Sequence, residues 1–147
     1  MIAVATTVEH PGWLALRRAL WPDTSDAAHR TEMAALVADP SRSRSWVVSD
    51  DASRPIGFAE ASFRVEPVIG VETTPVVFLE GLYVVPSCRR SGVAHRLLEA
   101  VTAWARATGC RALASDVELD NALGHAAHRA MGFQETERVV FYRRDLP

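Results

Sequence analysis

Apolar residues along the chain fall into short β-type runs and longer stretches of helical spacing. Residues 1 to 8 are β-branched and apolar enough for a strand, and His10-Pro11-Gly12 breaks it. Trp13, Leu14, Leu16, Arg17 and Leu20 then recur at helical spacing, predicting a helix that ends at Trp21-Pro22. Asp23-Thr24-Ser25-Asp26 offers N-caps for a second helix carrying Met33, Leu36 and Val37, which stops near Asp39-Pro40. Ser45–Val48 and Ile56–Arg64 read as an antiparallel hairpin across the turn-rich segment 50–55. After a loop around 67–74, the run 76–85 has the apolarity of a central strand covered on both faces, interrupted only by Glu80-Gly81.

From Val93 the positions Leu97, Leu98, Val101, Trp104 and Ala105 share one helical face, and Gly109 supplies the C-cap. Residues 111–117 make a short strand, 121–131 a fourth helix, and Gly132-Phe133 opens a final pair of strands running through Val139–Tyr142. The order β-α-α-β-β-β-α-β-α-β-β predicts an α/β (α+β) protein: a mixed central sheet of about seven strands flanked by about four helices. With 147 residues and no linker or repeat, one domain spanning 1–147 is expected.

Composition narrows the function classes. Hydrophobic residues make up 48% and charged residues 23%, enough for a core. A net charge of −2 gives no basic footprint for nucleic acid or an anionic membrane. No apolar run approaches the roughly 20 residues that cross a bilayer, and no targeting segment is visible. Cys88 and Cys110 stand apart, so free thiols in a cytoplasmic setting are expected. His29, His95 and His125 show no metal spacing, and no metal is expected.

The chemistry concentrates around a loop between the long strand and the best helix. Arg89-Arg90-Ser91-Gly92-Val93-Ala94 places free backbone N–H groups, a helix dipole and two guanidinium groups at one spot. Gly92 lets the backbone approach a phosphate closely. The alternative for this stretch alone is a helix start with solvated arginines.

Here the sequence resembles the GCN5-related N-acetyltransferases (GNAT), whose signature Arg/Gln-x-x-Gly-x-Gly/Ala is matched by Arg89, Gly92 and Ala94. Asn121 and then His128-Arg129-Ala130-Met131-Gly132-Phe133 match the family's second element, with His128 where many members place a tyrosine. The resemblance implies the GNAT fold, with a bulged central strand, compatible with Gly81, and acetyl-CoA as cosubstrate. It assigns cofactor contacts to Leu82, Tyr83, Val84, Arg89, Arg90, Ser91, Gly92, Val93, Ala94, His95 and Asn121.

Further stretches, among them Leu20-Trp21-Pro22, 57–62, 75–81, 114–116 and 133–139, resemble the short chromosomal-type aminoglycoside 6'-N-acetyltransferases. The pattern departs at Pro67, where an aromatic residue is expected, and at Gln134, where an acid is usual. This resemblance implies a cationic drug substrate in an antibiotic-resistance role, a homodimer, and substrate contacts at Trp21 and Asp116. Glu80, Glu66 and Glu135 are the further candidate substrate contacts, the last two as an extension of the acidic surface, against the alternative of solvated charges. An amine must lose a proton to attack a thioester, and Glu80, in an otherwise apolar strand, is the expected base because burial would raise its pKa. Asp116 joins Glu118 and Asp120 at a strand end as a polyamine-binding carboxylate, and His128 is the candidate to protonate the departing thiolate. Acetylation of another amine (a polyamine, peptide N-terminus or lysine) and a non-catalytic CoA sensor are the competing readings.

Overall fold

The computed structural model describes residues 1–147. One mixed sheet runs in the order β1(Ile2–Val4), β2(Ser43–Ser49), β3(Pro55–Arg64), β4(Val76–Val84), β5(Leu113–Ser115). The first four strands are antiparallel, and β5 lies parallel to β4. Four helices accompany it: α1(Trp13–Leu20), α2(Asp26–Ala38), α3(Val93–Ala107) and α4(Ala122–Ala130). Ser25 caps α2 by accepting a bond from Ala28 N at 3.1 Å, one of the four candidates the sequence offered.

Side-chain alternation on β2 and β3 builds two cores on opposite faces. Trp46, Val48, Ala59 and Ala61 pack with Leu97, Leu98, Val101 and Trp104 of α3. Val47 and Phe58 point the other way, against Trp13, Leu16 and Met33 of α1 and α2. On β4, Val77 and Leu79 face α3, but so do Leu82 and Val84, which regular alternation would place on the opposite face. The register explains it: Glu60 pairs with Gly81 and Ala61 with Leu79, leaving Glu80 as an extra, unpaired residue. The expected bulge is present, and it switches the parity of the strand so that both halves serve the same core.

The sheet has five strands, where about seven were expected. The pair predicted after Gly132-Phe133 does not form: residues 134–147 have no regular structure, and none of their backbone N–H groups has a backbone acceptor. An apolar segment becomes a strand only beside a partner ladder. Here Val140, Phe141 and Tyr142 remain 70%, 88% and 93% exposed. No helix is long and apolar enough to cross a membrane.

Candidate active site

β4 pairs with β5 only through Val77–Leu79, so beyond Leu79 the β5-facing edge of β4 carries no strand. Leu82, Tyr83 and Val84 lie along this open edge, which leads to the loop before α3. In that loop Arg90 (φ 61°) and Gly92 (φ 81°) both adopt left-handed backbone. Such a φ suits glycine, and nothing lies within 4 Å of where a Gly92 Cβ would stand. From Arg90 to His95 no backbone N–H finds an acceptor within the protein; the first of α3 to do so is Arg96, to Gly92 O at 3.0 Å. Consecutive unsatisfied donors at a helix N-terminus fit an anionic, phosphate-bearing group such as CoA.

The side chains around this loop divide their duties. Arg89 turns back onto the strand, its Nε donating to Val84 O at 3.0 Å and its guanidinium lying 5.6 Å from the Tyr83 ring centroid. Ser91 Oγ donates to Cys88 O, tightening the turn. His95 is exposed, its Nε2 3.3 Å from Glu99. Asn121 caps α4, its Oδ1 accepting from Gly124 N at 2.9 Å, so that oxygen is already engaged. Cys88 and Cys110 are free thiols.

Across the sheet, beneath α1 and α2, opens a cavity of about 480 Å³. Its wall includes Trp21, Arg17, Glu32, Glu60, Ser62 and Glu80. Trp21 is set by the bulge: a Cβ on Gly81 would stand 2.6 Å from Trp21 Cη2, so the indole lies directly on that glycine. Glu80 is exposed, which corrects the expectation that burial makes it a strong base. The bulge ejects its side chain from the apolar pattern of β4, and its Oε1 accepts bonds from Ser62 Oγ and Arg64 Nη2.

The buried carboxylate is Glu60, which the sequence reading did not single out. Both its oxygens lie 2.7 Å from Arg17 Nη1, and Trp13 Nε1 donates to Oε1 at 2.7 Å. Burial pushes its carboxyl above the ordinary range, while the Arg17 charge and the Trp13 N–H pull the other way. Arg17 also donates to His29 Nδ1 at 3.2 Å, reaches Glu32, and stacks 4.8 Å from the Trp21 ring centroid. A signal for this wall existed: Glu60, Ser62 and Arg64 interrupt β3 at every second residue, and so share one face.

Other expected residues sit elsewhere. Asp116, Glu66 and Glu135 are exposed and do not line this cavity, and Glu135 is engaged by Arg138, which holds its carboxyl below the ordinary range. His128 lies at the fork between β4 and β5. Its Nδ1 is 2.8 Å from Gly124 O and its Nε2 2.8 Å from Ser115 Oγ, which in turn is 3.1 Å from Leu79 O. A carbonyl only accepts, so Nδ1 carries the hydrogen. With a neutral ring Ser115 then donates to Nε2; with a charged ring Nε2 donates to Ser115, which donates on to Leu79 O.

Comparison with known proteins gives concordant matches. The sequence model described as the Acetyltransferase (GNAT) family matches residues 13–133. An aminoglycoside N(6')-acetyltransferase type 1 of Acinetobacter genomosp. 13 is 48% identical over 134 residues, covering 91% of this chain and 90% of the relative. One from Serratia marcescens is 43% identical, covering 99% of both chains. The crystal structure of apo aminoglycoside antibiotic 6'-N-acetyltransferase AAC(6')-IG from Acinetobacter haemolyticus superposes with a TM-score of 0.93 at 43% identity, covering 100% of this chain and 99% of that one. The structure of AAC(6')-Iy in complex with the bisubstrate analog CoA-S-monomethyl-acetylneamine gives 0.88 at 39% identity, with 99% coverage of each.

Proposed function

The chain belongs to the acetyltransferase (GNAT) family, and from that premise we propose that it transfers acetyl from acetyl-CoA to the 6'-amine of an aminoglycoside. The observation that carries this reading is the cavity at the β4 bulge, whose wall carries Trp21 and the carboxylates of Glu32 and Glu80 beside the Arg17–Glu60 pair. Such a wall suits a sugar ring bearing ammonium groups, through stacking and charge-assisted hydrogen bonds.

Acetyl-CoA supplies the activated acyl group as a thioester. The free N–H groups from Arg90 to His95 bind its pyrophosphate, Arg89 braces the end of β4, and the open edge at Leu82–Val84 holds the pantetheine arm. The Leu82 N–H, on the open edge of β4, would donate to the thioester oxygen and stabilise the charge that grows there. Glu80 orders the incoming amine and accepts its proton, directly or through one water. Asp116 attracts the polyamine from the strand end, and Ser115 and His128 offer a proton at the fork where the thiolate departs. Asn121 fixes the start of α4 beside that fork. Glu66 and Glu135 extend the acidic surface.

The 147 residues act as one domain, and the two free thiols, Cys88 and Cys110, support a cytoplasmic location. The exposed apolar stretch Val139–Tyr142 favours a homodimer in which this segment finds a partner on a second copy. Acetylation removes a positive charge from the drug, which supports an antibiotic-resistance role.

Thiol release from acetyl-CoA with kanamycin or tobramycin as acceptor tests the assignment, with spermidine and a lysine peptide as controls. Turnover restricted to the drugs, and collapsing in Glu80→Ala and Asp116→Ala, is expected. Turnover with a control amine alone assigns a different acceptor, and none with any amine leaves a CoA-binding module.

A further inference from the structure

Glu80 Oε1 accepts from Ser62 Oγ at 2.5 Å and from Arg64 Nη2 at 2.6 Å, whereas Oε2 has no partner in the protein. Arg64 is itself fixed on three sides. Its guanidinium carbon lies 4.0 Å from the Phe78 ring centroid, its Nε is 3.3 Å from Ser62 Oγ, and its Nη2 holds the acid. These contacts follow from strand geometry: Ser62 and Arg64 share a face of β3, and Phe78 is the cross-strand partner of Ser62. Ser62 and Glu80 line the cavity, and Arg64 does not. The guanidinium therefore grips the acid from outside the substrate space.

We propose that Arg64 is a positioning residue for Glu80: with Ser62 it immobilises Oε1 and leaves Oε2 as the one oxygen presented to the substrate amine or its bridging water. This rests on the reading of Glu80 as the group that handles the amine's proton. A bulge residue has no ladder bonds to fix its side chain, so its aim must come from such contacts. Arg64 also carries a positive charge next to a site for a polycation, which opposes substrate binding. Its two effects thus have opposite signs in the kinetics. Loss of Arg64 lets the carboxylate rotate, lowering kcat, while relieving repulsion, so that KM for the drug does not rise.

The test is steady-state kinetics with kanamycin for wild type, Arg64→Gln, Arg64→Lys, Glu80→Gln and the Arg64→Gln/Glu80→Gln double variant, with thermal midpoints and the KM for acetyl-CoA as controls. Arg64→Gln is expected to lower kcat about tenfold without raising the drug KM. Arg64→Lys, which keeps the charge without the planar fork, recovers part of the loss. In the Glu80→Gln background the Arg64 substitution changes kcat by less than about twofold, because the group it acts through is gone. An equal loss in both backgrounds, or a raised drug KM with kcat retained, overturns the inference and leaves the role of Glu80 standing. Wild-type kcat in Glu80→Gln, or no drug turnover by the wild type, overturns the reading of Glu80 or of the substrate, and this inference with it.

Discussion

Arg17 and Glu60 form a buried ion pair, Nη1 lying 2.7 Å from each carboxylate oxygen, between the first helix and the third strand. The pair lies where α1, α2 and the sheet converge under the cavity, and Arg17 extends it to Glu32 and to the face of Trp21. Removing Arg17 strands the Glu60 carboxylate away from water, and removing Glu60 leaves the buried Arg17 only the exposed Glu32 as an acidic partner. Arg17→Met or Glu60→Ala is expected to cost about 3–5 kcal/mol in chemical denaturation, well above an exposed pair.

Gly81 is required for its lack of a side chain. Gly81→Ala places a methyl 2.6 Å from Trp21 Cη2, so the indole must leave its position. The expected result is a loss of roughly 1–3 kcal/mol of stability together with a raised KM for the drug and an unchanged KM for acetyl-CoA. A drug KM equal to wild type would show that Trp21 does not contact substrate.

The Ser115–His128 contact predicts a loss confined to turnover. A thiolate is a good leaving group, so proton donation has limited scope, and Ser115→Ala is expected to lower kcat by roughly tenfold or less. CoA affinity, measured by isothermal titration, should stay as in wild type.

At the β2–β3 turn Asp50 accepts from Ala52 N, Arg54 N and Arg54 Nε, at 2.9, 2.9 and 2.8 Å, and these bonds hold its carboxyl below the ordinary range. A depressed folded value means that the stabilisation is present above the unfolded pKa and is lost as pH falls through the folded one. Asp50→Asn should therefore melt below wild type at pH 7, with the difference closing below about pH 4.

Removal of residues 134–147 tests the homodimer. The full chain should sediment as a dimer at micromolar concentration, and the truncated chain as a monomer. Two monomeric species would remove the apolar segment 139–142 as a subunit contact.

The sequence by itself determined the local features. Periodicity located the four helices, the hairpin and the long strand, because a helix or strand face that meets a core must repeat at its own period. The free backbone amides of the loop before α3 were equally legible, since they follow from a helix start and one glycine. Only the tertiary structure decided what depends on register and on distant partners. The bulge falls on Glu80 and turns it outward, so the expected buried base is an exposed acid held by Ser62 and Arg64. The buried acid is instead Glu60, whose partner Arg17 is remote in sequence and could not be paired with it from periodicity. Likewise Val139–Tyr142 has the composition of a strand but no neighbouring ladder in this chain, and a strand is defined by its partner as much as by its residues.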